Sequence, residues 1–185
     1  MRLTERFRRW RATRGYGVHS PLAYRLVTDA VRPPRDVAFY GEERLEEFAD
    51  AKGLPRRELR RARLLLRLTA ALQPSYVWVA PGVPELLREA VRLAGCAVRL
   101  YDGKTFPAEL PHCDLAVTVA NRLKRDRLGE FLRPGKALVG FDVPAVFTRD
   151  AEKAMTGGVV LDGAGSIVAV STADAALHKY NISPF

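Results

Sequence analysis

The sequence of 185 residues holds two cysteines, Cys96 and Cys113, which rules out both a disulfide framework and a four-cysteine zinc site. His19, His112 and His178 fall at no ligand spacing and cluster with neither thiols nor carboxylates, so no metal site is expected. No apolar run approaches the roughly 20 residues that a membrane span needs. The opening MRLTERFRRW lacks the apolar stretch of a secretion signal, and a cytoplasmic protein with free thiols is expected. Motifs are equally scarce. Gly103-Lys104-Thr105 imitates the end of a phosphate-binding loop, but Val98 stands where that loop needs its first glycine. Gly163-Ala164-Gly165 has no helix behind it to aim at a phosphate. There is no Gly-x-Ser-x-Gly elbow, and His112 beside Cys113 is a poor nucleophile pair because adjacent side chains point apart.

What is present is an ordinary globular composition, 48% hydrophobic and 28% charged, with a net charge of +9. The charge is uneven. Residues 1–67 hold 17 Lys and Arg against 9 Asp and Glu, whereas residues 68–185 hold 13 against 12. A basic first part thus precedes a nearly neutral second part, which suggests an anionic partner such as nucleic acid at the N-terminal helices. Arg8, Arg9, Arg11, Arg56, Arg57, Arg60 and Arg61 are the candidate contacts. The competing reading is an Arg-rich composition (24 of the 30 basic residues are Arg), with the basic face paired to the acidic segment 42–50.

The chain divides into a helical extension, 1–73, and an α/β part, 74–185, packed as one unit. Leu3, Phe7 and Trp10 form a narrow apolar stripe over 2–13. Ser20-Pro21 is a helix start, with Ser as N-cap and Pro in the first turn, and Leu22, Leu26, Val27 and Ala30 form the buried face. Pro33-Pro34 ends that helix. Residues 42–52 make an acidic segment anchored by Leu45 and Phe48. Residues 55–73 make the longest helix, basic at first and apolar almost all round from Leu64 to Leu72.

After Pro74 the pattern alternates. Strands are expected at 76–79, 97–101, 115–119 and 137–141, and helices at 84–94, 122–132 and 148–155, the last with Thr148 as candidate N-cap. Segments 158–161 and 167–170 flank a hairpin turn at 162–165. The fold class is α/β: a Rossmann-like, mostly parallel sheet with one antiparallel strand near an edge, and helices on both faces.

Three features together resemble the bacterial class I S-adenosylmethionine-dependent methyltransferase family, in a branch with a helical N-terminal extension. They are Gly15-Tyr-Gly-Val-His-Ser-Pro-Leu-Ala-Tyr24, the segment Arg63-Leu-Leu-Leu-Arg-Leu-Thr-Ala-Ala-Leu-Gln-Pro74 leading into the first strand, and the strand series with its closing hairpin. The resemblance implies a cofactor, S-adenosylmethionine, held at the carboxy ends of the first strands, with Ala80, Gly82, Asp102 and Asp142 as cofactor-binding candidates. Asp102 ends strand two, where a carboxylate can accept both ribose hydroxyls. Its other reading is a turn residue before Gly103, and for Asp142 a helix or turn cap before Pro144.

The sequence departs from the family in two places. The first turn reads Val79-Ala80-Pro81-Gly82-Val83-Pro84. Trp78 or Ala80 stands where the family places an acid, and the prolines lack N–H donors. Glu85 lies in the next helix and is expected to face solvent. Moreover, only 13 residues, 102–114, join strands two and three, too few for the helix and strand the family has there. Strand two becomes an exposed edge, a pairing surface for a homodimer. The leading expectation is therefore a pseudoenzyme, degenerate in cofactor binding, that acts as a binding or scaffold module. The alternatives are a working methyltransferase with an atypical cofactor turn, for which no general base stands out, and nucleic-acid binding.

Overall fold

A computed structural model describes residues 20–34, 37–94, 99–102, 112–120, 125–163, 165–174 and 176–181; at 99–102, 125–126 and 181 only the backbone is described. The basic segment 2–13, His19 and residues 103–111 of the crossover lie outside the described residues.

The first helix among the described residues, α1 (Pro21–Arg25), begins as its sequence dictates. The Ser20 hydroxyl accepts from the Ala23 N–H at 3.4 Å, and Pro21 sits in the first turn. The helix continues over Leu26–Val31 in π-helical form, ending with the Arg32 N–H on the Val27 carbonyl at 2.7 Å. Ala23, Leu26, Val27, Ala30 and Val31 are buried; Leu22, expected on that face, is only half-buried. Helices α2 (Glu42–Ala51) and α3 (Arg56–Leu72) follow. On α3, Leu64, Leu65, Leu66, Leu68 and Thr69 are buried, as the apolar second half requires.

Then come β1 (Tyr76–Val79), α4 (Glu85–Leu93), β2 (Arg99–Asp102), β3 (Leu115–Val119), α5 (Arg125–Phe131), β4 (Ala137–Phe141), α6 (Ala145–Ala154), β5 (Gly158–Gly163), β6 (Ser166–Ser171) and β7 (Leu177–Asn181). The seven strands among the described residues lie in the order β2-β1-β3-β4-β6-β5-β7. β6 is antiparallel to both its neighbours, β4 and β5, while β5 pairs parallel with β7. The other pairs, β1 with β2, β1 with β3 and β3 with β4, are parallel. The sheet is thus Rossmann-like, with one reversed strand.

The chain moves outward from β1 to β2 through α4, and the opposite way from β3 to β4 through α5. Right-handed crossovers in opposite directions put their helices on opposite faces. In agreement, α4 packs with α2 and α3, and α5 packs with α6. One apolar core joins α1–α3 to the sheet and includes Val77, Trp78, Leu115, Leu138, Phe141 and Val168.

Two expectations need correcting. Helix α6 starts at Ala145 behind Pro144, and Thr148 lies buried inside it rather than capping it. Proline sets the starting φ without any capping side chain, so the sequence offers no polar signal there. The segment after the hairpin, where the sequence predicts no strand, also forms one. Residues 177–181 return as β7, the far edge strand. The loop leading to it passes so close to Gly157 that a Cβ there would lie 1.5 Å from the Asp174 carbonyl oxygen. At the other edge, β2 has no outer neighbour among the described residues. No helix among them is long and apolar enough to cross a membrane.

Candidate functional site

In a sheet of this kind ligands settle outside the carboxy ends of the strands, where the chain direction reverses across the sheet. That point lies between β1 and β3. The four candidate residues all fall on this rim: Ala80 and Gly82 after β1, Asp102 at the end of β2, and Asp142 after β4. The strand register sets Asp102 level with Val79.

The turn after β1 is closed on itself. The Ala80 N–H continues the sheet ladder to the Val117 carbonyl at 2.9 Å, and the Ala80 carbonyl accepts from the Val83 N–H at 3.3 Å. Pro81 and Gly82 fill the two central positions of that turn, and Gly82 has φ +81°. This is a type II β-turn, in which proline presets the first central position and glycine takes the left-handed second one. The Val83 carbonyl accepts from Arg88 Nε at 3.2 Å, from the next helix. Trp78, at a position where the resemblance implies an acid, is buried in the sheet. Glu85 is solvent-facing as expected, and its carboxylate is held below the usual range by a hydrogen bond from the Lys52 ammonium of the α2–α3 connection.

The end of β4 is engaged by the N-terminal helices. Asp142 Oδ1 accepts from Arg57 Nη2 at 2.8 Å and from Arg61 Nη2. The Arg61 side chain is only 4% exposed; its Nη1 also reaches Glu58 at 3.2 Å, and its guanidinium lies 5.7 Å from the centre of the Phe141 ring. Asp142 itself is 41% exposed. The hydrogen bond from Arg61 holds its carboxyl below the ordinary aspartate range, against a smaller opposing effect of burial, with Arg57 adding to the lowering. Asp142 has φ +53°, and Ala120, after β3, has φ +51°. Left-handed backbone at a residue with a Cβ costs on the order of 1 kcal/mol, so the end of β3 at Ala120 is strained, whereas aspartate tolerates this conformation at Asp142.

The arginines of α3 are mostly committed. Arg63 meets Glu46 at 2.8 Å and Arg67 meets Glu42 at 2.6 Å, both across to α2, and Arg67 also lies 5.2 Å from the Phe39 ring centre. Pairing of the basic helix with the acidic segment is thus an observed contact. Arg56 and Arg60 are exposed and make no ion pair among the described residues. No group of His, Cys, Asp and Glu suited to a metal ion occurs among the described residues.

Sequence reasoning missed the link from Arg61 to Asp142. The signal was there: Arg61, Leu65, Leu68 and Leu72 share one helical stripe, and an arginine on an apolar stripe needs a buried acceptor.

No family model, no curated protein and no solved structure matches the chain. The fold and the rim therefore define a class only: an α/β protein with a Rossmann-like sheet.

Proposed function

We propose that this chain is a methyltransferase-type domain that has given up ordinary S-adenosylmethionine binding and acts as a binding or scaffold module. The turn from Ala80 to Val83 carries this reading. A nucleotide cofactor on such a sheet needs a glycine-rich turn whose backbone it can approach, and free N–H groups to meet it. Here the Ala80 N–H and carbonyl are already bonded, and Pro81 has no N–H to offer. The residues of the turn do not fit the cofactor that the resemblance implies. The engagement of Asp142 by Arg57 and Arg61 supports the same reading, because it ties up the other acid on the rim.

A second reading, an active methyltransferase with an unorthodox pocket, is favoured by one observation: Asp102 stands at the carboxy end of β2, beside the end of β1. Calorimetric and thermal-shift titrations with S-adenosylmethionine and its demethylated product separate the two. A ligand at one hundred times its Kd raises stability by about 2.7 kcal/mol, which shifts the melting temperature by several degrees. We expect no heat and no shift at millimolar ligand. Micromolar binding that Asp102→Ala abolishes would establish the second reading instead.

A further inference from the structure

The opposite end of the sheet holds a cavity of about 380 Å³. It lies where β3 and β4 begin and β6 ends, beneath α1 and the end of α3. Leu22 of α1, Leu72 of α3, Leu115 of β3 and Val170 of β6 form its apolar wall, and Asp114, Ser171 and Thr172 are the polar residues that line it. We infer that this cavity binds a small, neutral, mostly apolar molecule that carries a hydroxyl or amide group.

Size is the first argument. Ligand pockets span roughly 300–1,000 Å³, and this one sits near the small end, which suits a compact molecule. The second argument is the unmet hydroxyls. Ser171 is 1% exposed, and the Ser171 Oγ and Thr172 Oγ1 atoms are buried without a protein partner among the described residues. A buried polar atom left unpaired is destabilising, and alanine or valine at these positions would avoid that loss. Each hydroxyl can turn about one side-chain bond to donate to a ligand or accept from it.

Charge fixes the ligand class. Among the described residues the one charged residue in the lining, Asp114, is committed to the fold. Its Oδ2 accepts from the Ser75 and Tyr76 N–H groups at 3.0 and 3.1 Å, and its Oδ1 lies 3.5 Å from Lys136 Nζ. An incoming carboxylate or phosphate would meet negative charge, with no cation among the described residues of the wall. An incoming cation would meet a carboxylate whose bonds are already made. A neutral molecule suffers neither penalty. The inference concerns the end of the sheet opposite Asp142, so it holds whether or not the rim binds S-adenosylmethionine.

The test uses N-phenyl-1-naphthylamine, a neutral aromatic amine whose fluorescence rises in apolar surroundings, with the full chain. Saturable binding with one site per chain is expected, displaced by 1-octanol and not by octanoate. Leu72→Trp, at a half-buried position on the wall, should fill the space and weaken binding at least tenfold. Ser171→Ala should weaken it roughly threefold to tenfold, the range one hydrogen bond supplies, without lowering the melting temperature. Leu22→Trp, on the opposite wall, serves the same purpose should Leu72→Trp fold poorly. A signal that never saturates, equal affinity in a folded cavity-filling variant, or equal competition by octanoate overturns the inference.

Discussion

The Arg61 guanidinium, buried in the last turns before the apolar half of α3, donates to the Asp142 carboxylate just beyond β4. The two residues lie 81 positions apart, and their contact ties the helical extension to the rim of the sheet. One partner is buried and the other is partly open to water. This asymmetry decides what each substitution should do.

Asp142→Asn keeps a residue that tolerates the left-handed backbone and removes only the charge. Arg61 stays buried and charged, with Glu58 as its remaining acid, so the loss should be about 1–3 kcal/mol. Arg61→Met should cost less, because the half-open Asp142 can rehydrate whereas the buried arginine cannot. Urea denaturation of both variants at neutral pH checks the order; the reverse order would mean that packing of the Arg61 stem, rather than its charge, dominates.

The same contact sets a pH dependence. The folded carboxyl of Asp142 lies below its unfolded value of about 3.9. Its stabilisation is therefore fully present above that value and disappears as pH falls through the folded one. The stability gap between the parent protein and Asp142→Asn should be flat from pH 8 to pH 6 and shrink below about pH 4. A gap that persists unchanged at pH 2 would show that ionisation of Asp142 is not its source.

Gly157 should tolerate no side chain. A Cβ there would lie 1.5 Å from the Asp174 carbonyl oxygen and 2.7 Å from its carbonyl carbon, both backbone atoms that no rotamer change can move. Gly157→Ala must displace the loop that brings β7 to β5, at a cost of about 3 kcal/mol or more. Thermal unfolding reads this directly. A variant within 1 kcal/mol of the parent would mean that the β7 loop shifts freely, and that β7 contributes little to the sheet.

Ser20→Ala tests whether the start of α1 matters to the whole. Its hydroxyl caps the helix at 3.4 Å, a long bond, so the loss should sit at the lower end of the capping range, about 0.5–1 kcal/mol. The Ser20 N–H also donates to the Tyr180 hydroxyl of β7 at 3.3 Å, a backbone bond that the substitution leaves in place. Ser20→Gly should therefore recover most of the loss, since glycine is itself an acceptable N-cap. Equal losses for Ala and Gly would argue against capping as the cause.

Most of the fold was legible because its strands are short, apolar and β-branched. Residues 76–79, 115–119 and 137–141 read as buried parallel strands and are so. The Pro81-Gly82 pair announced its turn. β7 was not legible: Leu-His-Lys-Tyr-Asn is a half-exposed edge sequence with no apolar run, and only pairing with β5 makes it a strand. The start of α6 was hidden because Pro144 caps nothing with its side chain. Of the rim, the residue types were legible but not their commitments. Nothing local to Asp142 reveals that two arginines from a helix far back in the chain approach it. Only the polar residue on the apolar stripe of α3 hinted that a partner was needed.

The commitments on α3 also limit the nucleic-acid reading. Of its six arginines, Arg57, Arg61, Arg63 and Arg67 are held by Asp142, Glu58, Glu42 and Glu46, which leaves Arg56 and Arg60 exposed and unpaired among the described residues. A phosphate backbone can recruit those two without breaking a contact of the fold. If α3 meets duplex DNA, Arg56→Ala together with Arg60→Ala should lower the slope of log affinity against log salt by about 1.8, at roughly 0.9 per phosphate contact. The same double variant should change stability by less than about 0.5 kcal/mol, as surface substitutions do. Arg67→Ala should behave in the opposite way: its guanidinium bridges Glu42 and the Phe39 ring, so it should cost about 1 kcal/mol of stability and leave the salt slope unchanged. Fluorescence anisotropy with a labelled duplex at several salt concentrations, read beside thermal unfolding, separates the two classes of arginine. An undiminished slope in the Arg56/Arg60 variant would place any DNA contact elsewhere in the chain, and no binding at low salt would end the nucleic-acid reading for this protein.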